Sequence, residues 1–397
     1  MLTVSNPSVP VIDTSLIKDI PDGVTVYRAR TLEPSYAQKQ EFIASGKNLK
    51  SRIKSLVKKL VTPLMLPDSQ VLWWPGLMFK LIRVIWRERP RVLFVTAPPF
   101  STFLPVVFLG KMLGVPVILD YRDEWVFYRA QLENAIKHSL ARRLDTIFER
   151  YAVMQCTAFT AANKSYVNSL CSAYPEISPD KATVITNGFD EDDLNFKETV
   201  GVVHGGNMPI TLVYAGTVWK ATSLSNFVTA LKNLLKMDPA LRSVLRVKVF
   251  GRVVDSEQEY LQNPDLTGVL RMFGYVEHAD LMEETMAADV LVLTLSDLPG
   301  AEKIITGKVF EYMATGKQIL AIVPEGETKD LLSRNYNKLS LVDANDLDGV
   351  RNALADIVSN ILVIRKTSGT DVSSFSRKEL THTLARVFDK AEEVYAL

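Results

Sequence analysis

Short, nearly all-apolar β-rich runs recur along the chain with helical periodicity between them, and this alternation restricts the fold more than any other feature. In the first half the runs are residues 24–28, 92–97, 117–121, 159–162 and 183–186; in the second they are 210–215, 247–250, 272–276, 290–295 and 319–323. Helical spacing fills the intervals, for example residues 224–235 and 281–288. Strands that are apolar on both faces belong to parallel sheets covered on both sides by helices. Two such series predict an α/β fold of two Rossmann-like lobes. Asn187-Gly188, Gly201 and Gly205-Gly206 mark the break between them. The expected division is a first lobe over 1–190, a linker over 191–209, a second lobe over 210–373 and a final helix over 374–397.

Composition narrows the function classes. Of 397 residues, 46 are Lys or Arg and 45 are Asp or Glu, so the formal net charge is +1. A general nucleic-acid binder would carry a basic excess, and none is expected as a partner. Cys156 and Cys171 have no CxxC partner, which argues against a disulfide scaffold or a thiolate zinc site. The start has no basic region followed by an apolar run, so a reducing cytoplasm is expected. The most apolar window, 100–119, is interrupted by Lys111 and by Gly114-Val115-Pro116, and reads as helix, turn and strand rather than a membrane span. Residues 51–86 mix six cations with Trp73, Trp74 and Trp86. They read either as core-packed helices or as a face resting peripherally on an anionic membrane.

In open α/β sheets ligands bind beyond the carboxyl ends of the strands, and two lobes place the expected site in the cleft between them. Three loops of the second lobe answer to this rule. Tyr214-Ala215-Gly216-Thr217 leads to Lys220, so a glycine that admits a close ligand precedes a cation suited to phosphate. Phe250-Gly251-Arg252 repeats the theme with an Arg that can fork onto phosphate. The third loop leads into Thr306-Gly307-Lys308-Val309-Phe310-Glu311. Here Thr306 is the expected N-cap of a helix whose free amides favour an anion, and Glu311 lies one turn past Lys308 on the same side. A carboxylate so placed can accept hydrogen bonds from ribose hydroxyls. The bland alternative for each is an ordinary turn or a capped amphipathic helix.

Other chemistries find little support. No GxGxxG follows a strand, and Gly307-Lys308 continues into Val309 rather than Ser or Thr, so neither a dinucleotide cofactor nor a P-loop is expected. The four histidines lack metal spacing, and His278 reads as a helix-start residue. Asp190-Glu191-Asp192-Asp193 could hold a divalent metal but reads better as acids in a first helical turn. In the first lobe, Ala97-Pro98-Pro99-Phe100-Ser101 and Asp120-Tyr121-Arg122-Asp123-Glu124-Trp125 end apolar strands. The second of these reads equally as a structural ion-pair set or as an acceptor-positioning group.

Taken in order, these two segments together with Ile185-Thr186-Asn187-Gly188-Phe189-Asp190, Tyr214-Ala215-Gly216-Thr217, Phe273-Gly274-Tyr275-Val276, Ala288-Asp289-Val290 and the segment from Gly307 to Lys317 resemble glycosyltransferase family 4. These are retaining enzymes of the GT-B fold, and the nearest likeness is to bacterial members that build surface polysaccharides. The resemblance spans about residues 90–395. It implies that the last helix, after Phe375-Ser376-Arg377, crosses back onto the first lobe.

The resemblance implies a nucleotide-diphosphate sugar as donor, a saccharide or lipid-linked acceptor, and no cofactor or metal. Glu311 would hold the ribose, Lys308 and the Gly307 amide the diphosphate, and Lys220 and Arg252 the phosphates. Gly216, Thr217, Thr306 and Val309 complete the donor loops, and the Tyr275-Val276 backbone faces the base. Arg122 and Asp123 lie on the acceptor side, and Glu302 stands nearest the place of a sugar-contacting Glu. Retention is ascribed in this family to same-face attack aided by the leaving diphosphate, which asks for charge stabilisation. Three departures stand out. The position that should carry the second Glu is Lys303, with Glu302 one place off; Thr217 stands where Arg often does; and Leu2-Thr3-Val4 looks like the family's second strand, as though the first βα unit were missing. A non-catalytic nucleotide-sugar-binding subunit and a nucleotide-sugar epimerase are the alternatives.

Overall fold

The computed structural model describes residues 1–9, 17, 20–39, 65–126, 139–194, 209–367 and 369–396. Contacts divide the chain into one unit of Met1–Ile185 with Leu384–Leu397 and another of Thr186–Thr383. The division therefore falls at 185 rather than 190, and the end of the final helix belongs to the first unit.

The first unit holds β1 (Leu2–Val4), β2 (Tyr27–Ala29), α1 (Trp74–Glu88), β3 (Leu93–Ala97), α2 (Phe103–Leu113), β4 (Val117–Tyr121), α3 (Ser139–Gln155), β5 (Ala158–Ala161), α4 (Lys164–Ala173) and β6 (Ala182–Val184). Strands β3-β4-β5-β6 form a parallel sheet, while β1 and β2 pair in a sheet of their own. Every residue of β4 is buried, as its unbroken apolar run requires. The window 100–119 resolves as expected into α2, a left-handed Gly114 and β4. Helix α1 buries Leu77, Leu81 and Ile85, one residue per turn, against this core. Of the segment read as interfacial, residues 51–64 lie outside the described residues. Within the rest, Trp73 and Trp74 turn inward, their indole N–H groups donating to the carbonyls of Ala29 and Ser101, and Trp86 faces outward. A hydrogen bond to each indole N–H lets these two rings sit partly within the core.

The second unit is a six-stranded parallel sheet in the order β12-β11-β10-β7-β8-β9. Its strands are β7 (Ile210–Ala215), β8 (Leu245–Phe250), β9 (Leu270–Gly274), β10 (Val290–Thr294), β11 (Gln318–Val323) and β12 (Leu339–Asp343). Sequence reading did not include β12, whose half-buried residues reflect its edge position. Helices α5 (Ser225–Met237), α6 (His278–Ala287), α7 (Lys308–Ala314), α8 (Glu327–Asn335) and α9 (Leu347–Ser359) lie between the strands, and α10 (Arg377–Ala396) closes the chain. The order runs outward from β7 to β9, then restarts at β10 on the other side of β7. The switch point of the sheet is therefore between β7 and β10, where such folds open a crevice at the strand ends.

Three adjacent strands end alike. Gly216 after β7, Gly251 after β8 and Gly274 closing β9 all have positive φ. The Gly216 amide donates to the Phe250 carbonyl at 2.9 Å, and the Gly251 amide to the Gly274 carbonyl at 2.6 Å. A Cβ on Gly251 would lie 2.3 Å from the Gly216 carbonyl oxygen, so side chains are excluded by backbone as well as by dihedral. A comparison of two glycines isolates the packing contribution. Gly251→Ala is expected to lower stability by roughly 2–4 kcal/mol in chemical denaturation. Gly114→Ala, with φ +69 and nothing within 4 Å, should lose only about 1 kcal/mol. Equal losses would remove the close approach as the cause.

A second expectation concerns α3. Glu149 is buried, accepts a 2.8 Å hydrogen bond from the Tyr174 hydroxyl, and faces Glu124 and Asp145. Burial pushes its carboxyl up to about 8. The folded chain then keeps a proton that the unfolded chain releases, so stability falls as pH rises from about 4.5 to about 8 and levels off above. At about 1.4 kcal/mol per pKa unit the loss amounts to a few kcal/mol. Glu149→Gln should flatten the stability profile between pH 5 and 8.5; a profile as steep as wild type contradicts this origin.

Candidate functional site

The site is built at the switch point of the second sheet. Helix α7 begins beside the end of β7 and is held there by two contacts. The Ala215 amide donates to the Tyr312 hydroxyl at 2.8 Å, and Lys308 Nζ lies 3.9 Å from the centre of the Tyr214 ring. Both tyrosines are buried, so their positions are fixed by the core. The Lys308 ammonium is held over the ring face by cation–π attraction, 3.6 Å from where a Gly216 Cβ would stand. Gly307 has nothing within 4 Å of its own Cβ position. A bare glycine ledge and a preplaced cation thus adjoin at one edge.

Thr306 does not cap the helix. Gly307 is already helical at φ −55 and ψ −38, and the Thr306 hydroxyl, buried at its oxygen, has no hydrogen-bond partner. Its carbonyl instead accepts from the Val309 amide at 3.1 Å. Val309 is fully buried, so its side chain serves the core and its amide is already engaged. Helix α7 has only seven residues. Charge on Lys308 therefore matters more here than the sum of a short helix's dipoles.

Glu311 is half-buried one turn beyond Lys308. Burial raises its carboxyl above the ordinary value, against the opposing pull of His278, Arg377 and Lys308. These neighbours come from segments that sequence reading had set aside. His278 opens α6 as expected, but its Nε2 also lies 3.0 Å from the Asp193 carboxylate. Arg377 lies 3.5 Å from Asp190. Two members of the acidic run thus have polar partners, Asp193 in His278 and Asp190 in Arg377, placed where the chain from Phe189 meets the start of α10 through backbone bonds to Phe375 and Arg377. Among the described residues no cluster of His, Cys, Asp and Glu could hold a metal. The missed signal was the pairing of the acidic run with the Ser376-Arg377 turn, which only the fold brings together.

The remaining expected residues scatter. Thr217, Arg252 and Tyr275 are exposed, and Val276 is half-buried. The Arg252 carbonyl accepts from the Val218 amide at 2.8 Å, which ties the loops after β7 and β8. Lys220 is exposed and lines a cavity of about 300 Å³ with Glu257, Thr294 and Asn345. Glu302 is exposed, and its carboxylate accepts from the Gly300 amide at 2.9 Å, closing its own turn. In the first unit Arg122 forks onto Asp120 at 2.6–3.0 Å and donates to the Ile185 carbonyl at 3.0 Å. Asp120 also accepts from Thr160 at 2.6 Å, so this is a buried structural network at the strand end. Asp123 beside it is half-buried.

Comparison with known proteins gives three results. The family model described as Glycosyltransferase Family 4 matches residues 24–193. No curated protein matches the chain. Many solved structures do. Anabaena Alr3699/HepE in complex with UDP is 15% identical, with 80% of this chain and 84% of that one covered at a TM-score of 0.53. An α,α-trehalose-phosphate synthase (UDP-forming) from Burkholderia xenovorans is 11% identical, covering 80% and 77% at 0.56. A UDP-GlcNAc 2-epimerase from Neisseria meningitidis bound to UDP-GlcNAc is 14% identical, covering 98% and 99% at 0.53. The chain therefore carries the glycosyltransferase family 4 match over residues 24–193 and, across both units, the two-lobed GT-B fold of the glycosyltransferases.

Proposed function

We propose that the chain is a retaining, metal-independent glycosyltransferase that moves a sugar from a nucleotide-diphosphate donor to a saccharide or lipid-linked acceptor in polysaccharide assembly. The observation that carries this reading is the Gly216–Lys308 edge with Glu311 one turn beyond it. The bound UDP of the Anabaena structure and the match over residues 24–193 support it. In this reading Lys308 and the Gly307 amide hold the diphosphate and stabilise the charge that grows on it as it leaves. The ammonium is already fixed on Tyr214, so little reorganisation is needed at that moment. Glu311 accepts hydrogen bonds from the ribose hydroxyls, and the loop at Tyr275 and Val276 lies along the base. Arg252 reaches the phosphates from the next loop. Glu302 contacts the sugar after its turn opens, and Asp123 with Arg122 orients the acceptor. Catalysis takes place on the cytoplasmic side.

Calorimetry with UDP tests the site. A charge-assisted hydrogen bond contributes about 1.5–3 kcal/mol, so Lys308→Ala and Glu311→Ala should each weaken binding by roughly tenfold to a hundredfold. Unchanged affinity in both would remove the assignment. The pH dependence is a second readout. Glu311 must be ionised to accept from the ribose, and in the empty site burial favours its neutral form. Affinity is expected to rise with pH through a midpoint above the usual carboxylate range, and Glu311→Gln should abolish that rise. The Neisseria structure also suggests an epimerase. An epimerase exchanges a carbon-bound hydrogen of the sugar with solvent, whereas a transferase releases UDP only in step with transfer or hydrolysis. Deuterium uptake into the sugar would favour the epimerase.

We also place the first unit against an anionic membrane, peripherally. No described helix is long and apolar enough to cross one. Helices α1, α2 and α3 touch in series. Their exposed residues include Phe79, Arg83, Trp86 and Arg87 on α1, Lys111 and Met112 on α2, and Arg143, Ile147 and Arg150 on α3. Cations interleaved with large apolar groups suit the headgroup region of anionic lipid. Sedimentation with phosphatidylglycerol vesicles should show binding that salt weakens and that Arg83→Glu with Trp86→Ser abolishes. Binding to neutral vesicles alone, or none, contradicts the placement.

A further inference from the structure

Strand β8 departs from the rule that governs its neighbours. It lies between β7 and β9, and an interior strand of a parallel sheet is covered on both faces and reads as apolar throughout. Its sequence alternates instead. Leu245, Val247 and Val249 are buried on one face, while Arg246 and Lys248 stand half-buried on the other. Register adds two neighbours to the charged face: Thr211 of β7 pairs with Arg246, and Arg271 of β9 with Lys248. Helix α6 lies on this side, since its Glu284 reaches Lys248 at 2.6 Å. Its ten residues run only about 15 Å and stop at Ala287. A cavity of about 600 Å³ opens there, with Thr211, Arg246, Lys248, Arg271, Ala287 and Asp289 in its lining. Thr211, Arg246 and Asp289 stand at the amino ends of β7, β8 and β10. The glycine edge is at the opposite ends of these strands, roughly 17 Å away at about 3.3 Å per residue.

The charges around the cavity do not balance. Both oxygens of Asp289 are occupied, by the Arg365 fork at 2.7 and 3.0 Å and by the Thr211 amide at 2.9 Å. Glu284 is taken by Lys248. Among the described residues, Arg246 and Arg271 then have no carboxylate partner. Arg246 Nη1 donates to the carbonyls of Arg242 and Leu245 at 3.1 and 2.7 Å, which fixes the guanidinium and leaves its other nitrogens to donate. The Arg271 guanidinium lies 4.7 Å from the centre of the Phe273 ring, itself stacked on Phe250. Like charges at registered positions, such as Lys248 and Arg271, are unfavourable, and an anion between them removes that cost. Arg246 is the diagonal neighbour of Arg271, about 7–8 Å along the face, a span that two long side chains close around one phosphate. Phe273, Val269 and Ala287 add apolar lining. We propose that this cavity binds a small organic phosphate. A carboxylate carries one charge and fills one fork, whereas a phosphate monoester carries about −1.5 to −2 and meets both guanidiniums at once. The volume is that of a small-molecule pocket, about 300–1,000 Å³, so the apolar part has room for the organic body. The phosphate competes with Glu284 for Lys248. This inference concerns the second unit alone and stands apart from the donor site.

Calorimetry on the full chain with phenyl phosphate as the probe, run in excess UDP, tests the site. Saturable binding is expected, tighter than that of either inorganic phosphate or phenol. Arg246→Gln with Arg271→Gln should weaken it about tenfold or more, the loss of two charge-assisted contacts. Glu284→Gln removes the competitor for Lys248 and should tighten binding about three- to tenfold, a gain that misfolding does not produce. Lys308→Ala should leave it unchanged. No saturable binding of phenyl phosphate, or binding lost in Lys308→Ala and kept in the arginine pair, overturns the site. Phenol binding as tightly as phenyl phosphate overturns the phosphate contact, and inorganic phosphate doing so overturns the organic body. Weaker or unchanged binding in Glu284→Gln overturns the competition at Lys248.

Discussion

A parallel strand buried on both faces can show its chemistry only at its ends, and this constraint organises the second unit. Strands β10 and β11 have every residue buried, so nothing along them is available to a ligand. Polar function is confined to the loops that leave their carboxyl edge. At that edge the chain removes side chains altogether. Gly216, Gly251 and Gly274 bring three loops to within a hydrogen bond of one another, and the amides of Gly216 and Gly251 are spent on the neighbouring carbonyls. What remains is a backbone surface on which a large polar ligand can lie without steric cost, with one ammonium fixed beside it.

Much of this was legible because it follows from periodicity. The runs at 117–121 and 210–215 were read at their observed bounds, since continuous apolar stretches flanked by turn residues have few other uses. The Gly–cation turns at 216 and 251 were legible for the same reason: only glycine ends such strands at positive φ. The failures share a cause too. Residue type predicts Thr306 as a cap, yet the adjacent glycine continues the helix backward and leaves the hydroxyl unmet. Lys220 has the charge for phosphate but lines another cavity, because the turn after Val218 carries it onward to a 3-10 helix. The pair His278–Asp193 joins positions 85 residues apart, and no local pattern encodes it.

In the first unit the polar cluster at the end of β4 is tied together by the fold itself. Arg122 alternates with acids at a strand end, as a substrate-positioning group would. In the structure its fork is filled by Asp120, and Thr160 occupies the same carboxylate. A buried aspartate needs such partners to offset the cost of its burial. That network holds in place the loop that carries Asp123.

The two carboxylates Glu149 and Glu311 sharpen the distinction between a structural and a binding acid. Both are raised above the ordinary value by burial. Glu149 meets this cost within the fold: protonated, it sits against Tyr174 in a region that also holds Glu124 and Asp145. At Glu311 that rise is opposed by His278, Arg377 and Lys308, which come from separate elements. Its charge is poised rather than suppressed. A ligand that brings hydroxyl donors to Glu311 and phosphate to Lys308 satisfies both groups at once, whereas either contact alone leaves the other charge poorly solvated. In the proposed function, such coupling makes a hydroxyl-bearing diphosphate a better fit than inorganic phosphate or a free sugar, and it ties recognition of a donor's ribose to the position of its leaving group.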